Sequence, residues 1–184
     1  MLNMECILPD SNTRTGVYPD LNGVCVQAVS DPVFERVQAI PEGFSEQIQE
    51  AVKDFIQTSP LPQGVEERGF YYQTLQAIAQ SALWGQGRDL WLGIHGNELY
   101  TYILATLSPD FDGRLAYTVS QAWVRKDQRG KPWVRKAWQK VRQRAVDTLC
   151  SHFVVYSTKE NTKAYCRFLG KGFKKYSEIL KEEL

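Results

Sequence analysis

The segment from Arg125 to Arg144 holds most of the side chains that could bind a negatively charged ligand. It contains nine lysine and arginine residues and one aspartate, whereas the whole chain of 184 residues has a net charge of +1. The stretch Arg129–Pro132 opens a helical pattern, so the N–H groups of the first helical turn would face an approaching anion. Gly130 would let a phosphate come close to the backbone. The segment therefore predicts an anion-binding turn.

Two other interpretations of this basic segment stay open. Lys136, Lys140 and Arg144 recur at every fourth position, which is also typical of a solvated helix face. The same charges would suit nucleic acid, with Trp133 available to stack on a base. The sequence alone does not choose among an anion site, a nucleic-acid surface and a solvated face.

Metal and thiol chemistry are not indicated. The chain has four cysteines and two histidines, and no two cysteines have the CxxC spacing of a zinc site. We therefore predict no metal, and we expect reduced thiols, as in a cytosolic protein. Both histidines are interpreted as structural. The four cysteines are Cys6, Cys25, Cys150 and Cys166, and the two histidines are His95 and His152.

The elements around the basic turn follow from the periodicity of apolar residues. Their order is strand, two helices, three strands in an antiparallel meander, helix, strand, helix and strand, which predicts one α/β domain. The predicted strands are 24–28, Leu90–Ile94, Glu98–Leu107, Arg114–Val124, His152–Tyr156 and one from Phe173 onward. The predicted helices are Ser45–Gln57, Tyr71–Trp84, Pro132–Leu149 and Asn161–Gly170.

Two of these helices carry a clear apolar stripe that we expect to be buried. In the second helix the stripe is Leu75, Ile78, Ala79, Ala82 and Leu83, with Gly85 as the C-terminal cap. In the third helix it is Val134, Ala137, Trp138, Val141, Ala145 and Leu149, after a proline at the first helical position.

The ends of the chain and its hydropathy restrict the class of protein. Residues 1–22 have the composition of a loop or an arm, so we place the folded domain at 23–184. No apolar run is long enough to span a bilayer, so we expect no membrane partner. The N-terminus lacks the pattern of a signal peptide.

Two motifs resemble those of the GNAT superfamily of N-acetyltransferases. After a strand ending in valine, that family has R-G-x-G-x-G/A, and here Val124, Arg129, Gly130 and Lys131 fall in register. Its N-x-x-A-x-x-x-Y-x-x-x-G-F pattern is matched at four of five positions. The four matching positions are Asn161, Ala164, Gly172 and Phe173. The resemblance implies a mixed, mostly antiparallel sheet flanked by helices, with acetyl-CoA bound by Val124, Arg129, Gly130, Lys131, Asn161 and Ala164.

The chain departs from this family at the positions that would carry the chemistry. Pro132 and Val134 replace two glycines of the phosphate loop, and Pro132 also removes an N–H donor. Phe168 stands where the family commonly has a tyrosine acid, and phenylalanine transfers no proton. Tyr165 and Cys166 could substitute for it, although packing explains each of them better. 

A general base is equally hard to assign. The family usually takes it from a carboxylate on the meander strands, or uses water, and the strand Arg114–Val124 contains no carboxylate. Glu98 and Asp112 are candidates by default, and turn chemistry explains Asp112 better.

Three functions follow as hypotheses. The first is an eroded GNAT protein that serves as a structural or interaction module, because the stretch from Asn161 to Phe173 is similar to acetyltransferase-like proteins of tailed bacteriophages. Its partners would be other virion proteins. The second is an active acetyl-CoA-dependent N-acetyltransferase, and the third is a nucleic-acid-binding module that uses Arg125–Arg144. We expect the protein in the cytoplasm, or in a virion if a phage encodes it.

Overall fold

The computed structural model describes residues 30–59, 61, 64–84, 87–109 and 113–156. These residues form one five-stranded sheet with helices on both faces. The strands are β1 (Val33–Val37), β2 (Arg88–His95), β3 (Glu98–Pro109), β4 (Leu115–Val124) and β5 (His152–Val155). The helices are α1 (Ser45–Thr58), α2 (Glu67–Trp84) and α3 (Pro132–Asp147).

The strands lie side by side in chain order, from β1 to β5. The first three pairs are antiparallel, and β4 and β5 are parallel. The connection between β4 and β5 contains α3, as a crossover between parallel strands requires. The predicted α/β domain with a mixed, mostly antiparallel sheet is therefore confirmed.

The strand β1 was not among the strands predicted from the sequence. The structure places β1 at Val33–Val37, where Phe34 is buried and Arg36 reaches Asp89 on β2. The sequence did not predict it because five residues with two charges resemble a loop. The candidate strand at 24–28, the helix Asn161–Gly170 and the strand from Phe173 onward lie outside the described residues.

Alternation along the central strands divides the core into two layers. Trp91 and Ile103 face α3 in one hydrophobic cluster. Leu92 and Tyr102, one residue away on the same strands, face α1 and α2 in the other cluster. Successive strand residues point to opposite faces, so α3 lies on one side of the sheet and α1 and α2 lie on the other.

The predicted apolar stripe of α3 is confirmed over five of its six residues. Val134, Ala137, Trp138, Val141 and Ala145 are all buried. The prediction that Leu149 belongs to the buried stripe is wrong: the helix ends at Asp147, and Leu149 has a φ of 58° and an exposed fraction of 87%. The hydroxyl of Thr148 donates to the carbonyl oxygen of Arg144 at 2.8 Å, which closes the helix before Leu149 can continue it.

The predicted stripe of α2 is correct at its centre and wrong at its end. Ile78 and Ala82 are buried, whereas Leu83 is 76% exposed. Two polar residues, Thr74 and Ser81, are buried instead. The Ser81 hydroxyl is satisfied inside the helix because it donates to the carbonyl oxygen of Ala77 at 2.7 Å. The predicted cap at Gly85 lies outside the described residues.

Candidate functional site

The turn between β4 and α3 is built as the sequence predicted. Val124 ends β4, a single 3-10 turn covers Lys126–Gln128, and Pro132 is the first residue of α3. Gly130 has a φ of 81°, a conformation that glycine adopts without strain. The structure thus brings together the predicted residues Val124, Arg129, Gly130 and Lys131. Asn161, Ala164 and Tyr165 lie outside the described residues.

Most backbone N–H groups of this turn are already bonded to carbonyl oxygens of the turn itself. The N–H of Gln128 donates to Arg125 at 2.9 Å, and that of Arg129 donates to Lys126 at 3.4 Å. The N–H of Lys131 donates to Gln128 at 3.2 Å, and that of Val134 donates to Lys131 at 3.1 Å.

Few N–H groups are left for an anion. Pro132 has none, because its nitrogen is part of the ring. From Gln128 to Val134, only the N–H groups of Gly130 and Trp133 have no hydrogen-bond acceptor within the part of the chain that the structure describes. A pyrophosphate at a helix N-terminus depends on several such donors, so the residues of this turn fit the pyrophosphate of acetyl-CoA poorly.

Arg125 is held by two carboxylates beside this turn. Its Nε and Nη2 atoms donate to the carboxylate of Asp127 at 2.8 and 3.0 Å, and Nη1 donates to Glu98 at 3.0 Å. The guanidinium also lies over the ring of Tyr100, 4.0 Å from its centroid. The hydrogen bonds to Asp127 raise the pKa of Arg125 most, and the hydrogen bond to Glu98 raises it further, whereas partial desolvation lowers it.

Glu98, the default candidate for a general base, is therefore an ion-pair partner. It lies at the start of β3, and its side chain is 60% exposed. The candidate Asp112 lies outside the described residues. Asp127 accepts from Arg125 and from Gln128, which lowers the pKa of its carboxyl group. Both described carboxylates beside the turn bind Arg125.

Arg129 lies along the end of β4. Its Nε donates to the carbonyl oxygen of Val124 at 3.0 Å, and its Nη2 lies 3.9 Å from Oδ2 of Asp54 on α1. The same Oδ2 accepts from the indole N–H of Trp123 at 2.6 Å. The side chain predicted to bind phosphate therefore contacts protein atoms.

Within the part of the chain that the structure describes, the second half of β4 has an open edge. β5 pairs with β4 only from Ala116 to Val119, and the N–H of Tyr156 adds one bond to Val119 at 3.3 Å. Among the described residues, nothing but Arg129 bonds to the backbone of 120–124 on that side. The N–H of Arg125 bonds to Tyr100 on β3. Because a trans peptide points its N–H and C=O in opposite directions, the carbonyl of Val124 faces the open edge.

On the face of β4 that lies beneath α1 and α2, three buried polar side chains form a chain of hydrogen bonds. The hydroxyl of Tyr102 donates to Oε1 of Gln121 at 3.2 Å, and Nε2 of Gln121 donates to Oγ1 of Thr74 at 2.7 Å. All three are buried, and Phe55 packs its ring edge against Tyr102. Burial, with a smaller effect of Asp54, raises the pKa of Tyr102. This tyrosine is therefore a poor acid at neutral pH.

A second buried polar cluster, not predicted from the sequence, is centred on Asp89 at the start of β2. Its carboxylate accepts from Arg36 at 2.9 Å, from the hydroxyl of Tyr117 at 2.9 Å and from Arg144 at 3.1 Å. The hydroxyl of Tyr117 accepts from the indole of Trp91 at 3.0 Å. No local motif could have revealed the cluster, because its members come from four separate elements.

The predicted basic stripe on α3 needs correction. Arg144 binds Asp89, and the ammonium group of Lys140 donates to the carbonyl oxygen of Phe34 at 3.1 Å. Trp133, which we had expected to be available for stacking, is 6% exposed and donates to Oε1 of Gln128 at 3.2 Å. Its ring is buried because the first turn of α3 packs on the sheet.

Metal and membrane sites can be assessed only for the described part of the chain. Within it, no three histidine, cysteine or acidic side chains come close enough to hold a metal ion. None of the three helices has the length and apolar character needed to cross a membrane.

Comparisons with known proteins agree on the fold. No family model and no curated protein matches the sequence. Among solved structures, an acetyltransferase of Trypanosoma brucei is 15% identical over 84% of this chain and 100% of that chain, with a TM-score of 0.56. A predicted acetyltransferase of Clostridium acetobutylicum, solved with acetyl-CoA, is 9% identical over 82% and 95%, with a TM-score of 0.58.

A third structure names the superfamily. A GNAT family acetyltransferase of Staphylococcus aureus is 10% identical over 84% of this chain and 100% of that chain, with a TM-score of 0.56. At these identities the likeness establishes the fold and not the reaction. This chain has the fold of the GNAT acetyltransferases.

Proposed function

We propose that this chain is a GNAT-fold protein that no longer transfers acetyl groups and that serves as a structural or interaction module. The observation that carries the proposal is the use of the N–H groups in the turn from Gln128 to Val134, between β4 and the first residues of α3. Four of them bond within the turn, and Pro132 removes a fifth. The phosphate-binding turn keeps its shape but retains few of its donors.

The energetic consequence is large on the scale of ligand binding. A hydrogen bond to a charged group contributes about 1.5–3 kcal/mol, and tenfold in affinity corresponds to about 1.4 kcal/mol. Losing two or three phosphate contacts would therefore weaken the binding of acetyl-CoA by several orders of magnitude. Arg129 could replace one contact only by leaving the carbonyl of Val124 and the neighbourhood of Asp54.

Acid–base groups give the reaction little further support. The carboxylate of Glu98 is engaged in an ion pair with Arg125. Tyr102 is buried, with a raised pKa, and its hydroxyl is bonded to Gln121. A catalytic acid or base has to reach the reacting atoms, and neither residue is placed on the open edge of β4.

The partners that we propose are proteins of an assembly. The similarity of the stretch from Asn161 to Phe173 to acetyltransferase-like proteins of tailed bacteriophages favours a virion as that assembly. The arm predicted at 1–22, which lies outside the described residues, would suit docking to such a neighbour. A protein in this role needs a stable scaffold and accessible faces, and does not need a cofactor.

An active acetyl-CoA-dependent N-acetyltransferase is the second candidate, and the open edge of β4 favours it. Backbone groups at an unpaired strand edge can bond to an extended chain that carries amides, and acetyl-CoA has such an arm. The structure from Clostridium acetobutylicum, which contains acetyl-CoA, shares this fold. In this case Arg129 would have to move away from Val124 to admit the ligand.

Release of the CoA thiol from acetyl-CoA in the presence of a panel of primary amines tests the proposal. We expect no release by the wild-type chain above the rate without protein. The variant Pro132→Gly, which restores one N–H donor, should bind acetyl-CoA more tightly than wild type. Turnover by the wild-type chain that is lost in Arg129→Ala would overturn the proposal and establish the enzyme.

A nucleic-acid-binding module remains the third hypothesis, with less to support it. Arg125, Arg129, Lys140 and Arg144 all bond to protein atoms, and Trp133 is buried. Retention on DNA that falls with salt, and that is lost on charge reversal of Lys136, Lys140 and Arg144, is the result that this hypothesis requires.

A further inference from the structure

The two sides of the sheet carry opposite charge. Between Glu42 and Trp84, the segment that includes α1 and α2, there are six acidic and two basic residues, a net charge of −4. Between Lys126 and Arg142 there are seven basic residues and one acidic residue, a net charge of +6. Because α1 and α2 pack on one side of the sheet and α3 packs on the other, these charges lie on opposite sides.

We call the first surface the acidic face, and it consists of exposed carboxylates on α1, on α2 and just before them. Among the described residues, Glu50 is the only one of its five members with an ion-pair partner, which is Lys53 at 2.6 Å. The other four members have no ion-pair partner there. The members of the acidic face are Glu42, Glu46, Glu50, Glu66 and Glu67.

We call the second surface the basic face, and it consists of exposed side chains of the turn and of α3. Lys131, Arg135 and Arg142 lie within about 40° of one line along the helix at 100° per residue. None of these three side chains has a hydrogen bond or an ion pair within the described ranges, and neither has the side chain of Lys126 in the turn. The members of the basic face are Lys126, Lys131, Arg135 and Arg142.

Both faces also expose apolar side chains beside their charges. Val146 and Leu149 extend the basic face, with exposed fractions of 59% and 87%. Val65 and Tyr72 flank Glu66 and Glu67 in the chain, with exposed fractions of 37% and 57%. Charges surrounding a few apolar residues are the composition of a protein contact rather than of a nucleic-acid groove.

The dimensions of the two faces match. At 1.5 Å per residue, the 16 residues of α3 extend about 24 Å and the 14 residues of α1 extend about 21 Å. Arg129 and Asp54 approach each other to 3.9 Å at the end of β4, but neither belongs to the two faces. The face charges on α3 and those on α1 and α2 lie on opposite sides of the sheet. These charges can neutralise each other between two molecules, when α3 of one lies on α1 of the next.

We propose that this chain associates head to tail, with the basic face of one copy on the acidic face of the next. Such a contact uses two different surfaces, so each copy retains one free face, and repetition builds a ring or a filament. The role of this association rests on the proposed function as an assembly module. The contact itself involves no acetyl-CoA, so its failure and the failure of that function are measured separately.

A single contact between two copies should be weak and sensitive to salt. Exposed ion pairs contribute about 0–1 kcal/mol each, and they are screened over about 8 Å at physiological ionic strength. Sedimentation velocity of the full chain over a range of concentrations measures it. We expect concentration-dependent association at about 0.01 M ionic strength, where screening extends over about 30 Å, and monomer at about 1 M.

Two variants locate the contact. Arg135→Glu combined with Arg142→Glu cancels the net charge of the basic face, whereas Glu42→Lys combined with Glu46→Lys removes most of the net charge of the acidic face. Each variant alone should stay monomeric at low ionic strength. Mixing the two should restore association in pairs, because the unchanged acidic face of the first variant then meets the unchanged basic face of the second. Restoration by mixing excludes misfolding as the reason for the loss in either variant.

Three outcomes would overturn the proposal. The first is a wild-type chain that stays monomeric at low ionic strength, and the second is association that either variant retains. The third is a mixture that stays monomeric. If wild type instead binds DNA at low salt and loses that binding with Arg135→Glu and Arg142→Glu, the basic face serves nucleic acid and the head-to-tail contact is rejected.

Discussion

Arg125 and Arg129 direct their guanidinium groups at the protein instead of at an outside anion. Arg125 is held by Glu98 and Asp127, and Arg129 caps the end of β4 at Val124. Each guanidinium group therefore makes its contacts inside the chain. At the scale of single residues, both arginines contribute to the scaffold of the turn.

Asp89 provides the clearest prediction at this scale. Its buried carboxylate binds both Arg36 and Arg144, and it thereby connects β1 and α3 to β2. Asp89→Asn keeps the shape but removes the charge that both arginines require. We expect the free energy of unfolding to fall by about 2–4 kcal/mol, since breaking a buried ion pair is costly. Urea unfolding at neutral pH measures the change.

The matched control is the exposed pair between Glu50 and Lys53. Glu50→Gln removes one carboxylate of the same kind from the surface, and we expect no measurable change in stability, because exposed pairs contribute little. Equal effects of the two substitutions would show that the Asp89 cluster does not hold the elements together.

At the scale of elements, β2 depends on a close approach at Gly93. A Cβ at this position would lie 2.5 Å from Cγ2 of Thr101 and 3.5 Å from Trp133. The pairing between β2 and β3 also changes register there, between Gly93 and Ile94. This glycine therefore leaves room for the side chain of Thr101, its partner on β3.

Gly93→Ala should therefore destabilise the fold. The added methyl group must displace the side chain of Thr101, and overpacking of this kind costs about 1–3 kcal/mol. The control is Gly69→Ala in α2, where a Cβ meets nothing within 4 Å. That change should be neutral or stabilising by up to about 1 kcal/mol. Thermal unfolding of both variants checks the prediction, which fails if Gly93→Ala is as stable as wild type.

The helices and central strands were predictable because their periodicity is local. α3 begins at Pro132 and buries Val134, Trp138 and Val141 as its 3.6-residue pattern indicates. The errors at Leu83 and Leu149 come from the ends of helices. There, capping bonds such as that from Thr148 to Arg144 decide where the helix stops.

The candidate site was only half predictable, for a different physical reason. The turn containing Gly130 follows from local residue types, so its shape was foreseen. The cluster around Asp89 joins residues 53 and 55 positions away in the chain, and no spacing rule covers such distances. The use of the turn's N–H groups by its own carbonyl oxygens is likewise a property of three-dimensional structure.

At the scale of the whole molecule, two buried tyrosines lie on opposite faces of the sheet. Tyr102 faces α1 and α2, and Tyr117 faces α3. Burial is the main cause that raises the pKa of each hydroxyl. Because the folded pKa lies above the unfolded value of about 10, the folded state favours the protonated form.

The free energy of unfolding should therefore fall as the pH rises above about 10. Each buried tyrosine contributes stability that is complete below the unfolded pKa and is lost toward the folded pKa. The slope is about 1.4 kcal/mol per pH unit for each group. Urea unfolding between neutral pH and strongly alkaline pH measures it.

Tyr102→Phe is the control for the alkaline loss. Without the hydroxyl, this position has no proton to lose, so the variant should have a shallower decline above the unfolded pKa. Wild type and Tyr102→Phe with equal slopes would show that this tyrosine ionises as readily folded as unfolded.

The central claim is that the turn between β4 and α3 no longer binds acetyl-CoA, and isothermal titration calorimetry with acetyl-CoA measures this directly. We predict no binding by the wild-type chain tighter than about 1 mM, which corresponds to about −4 kcal/mol. Arg129→Ala should give the same result, because Arg129 contacts Val124 and lies beside Asp54. Binding at about 1 μM or tighter, weakened at least about tenfold by Arg129→Ala, would contradict the account.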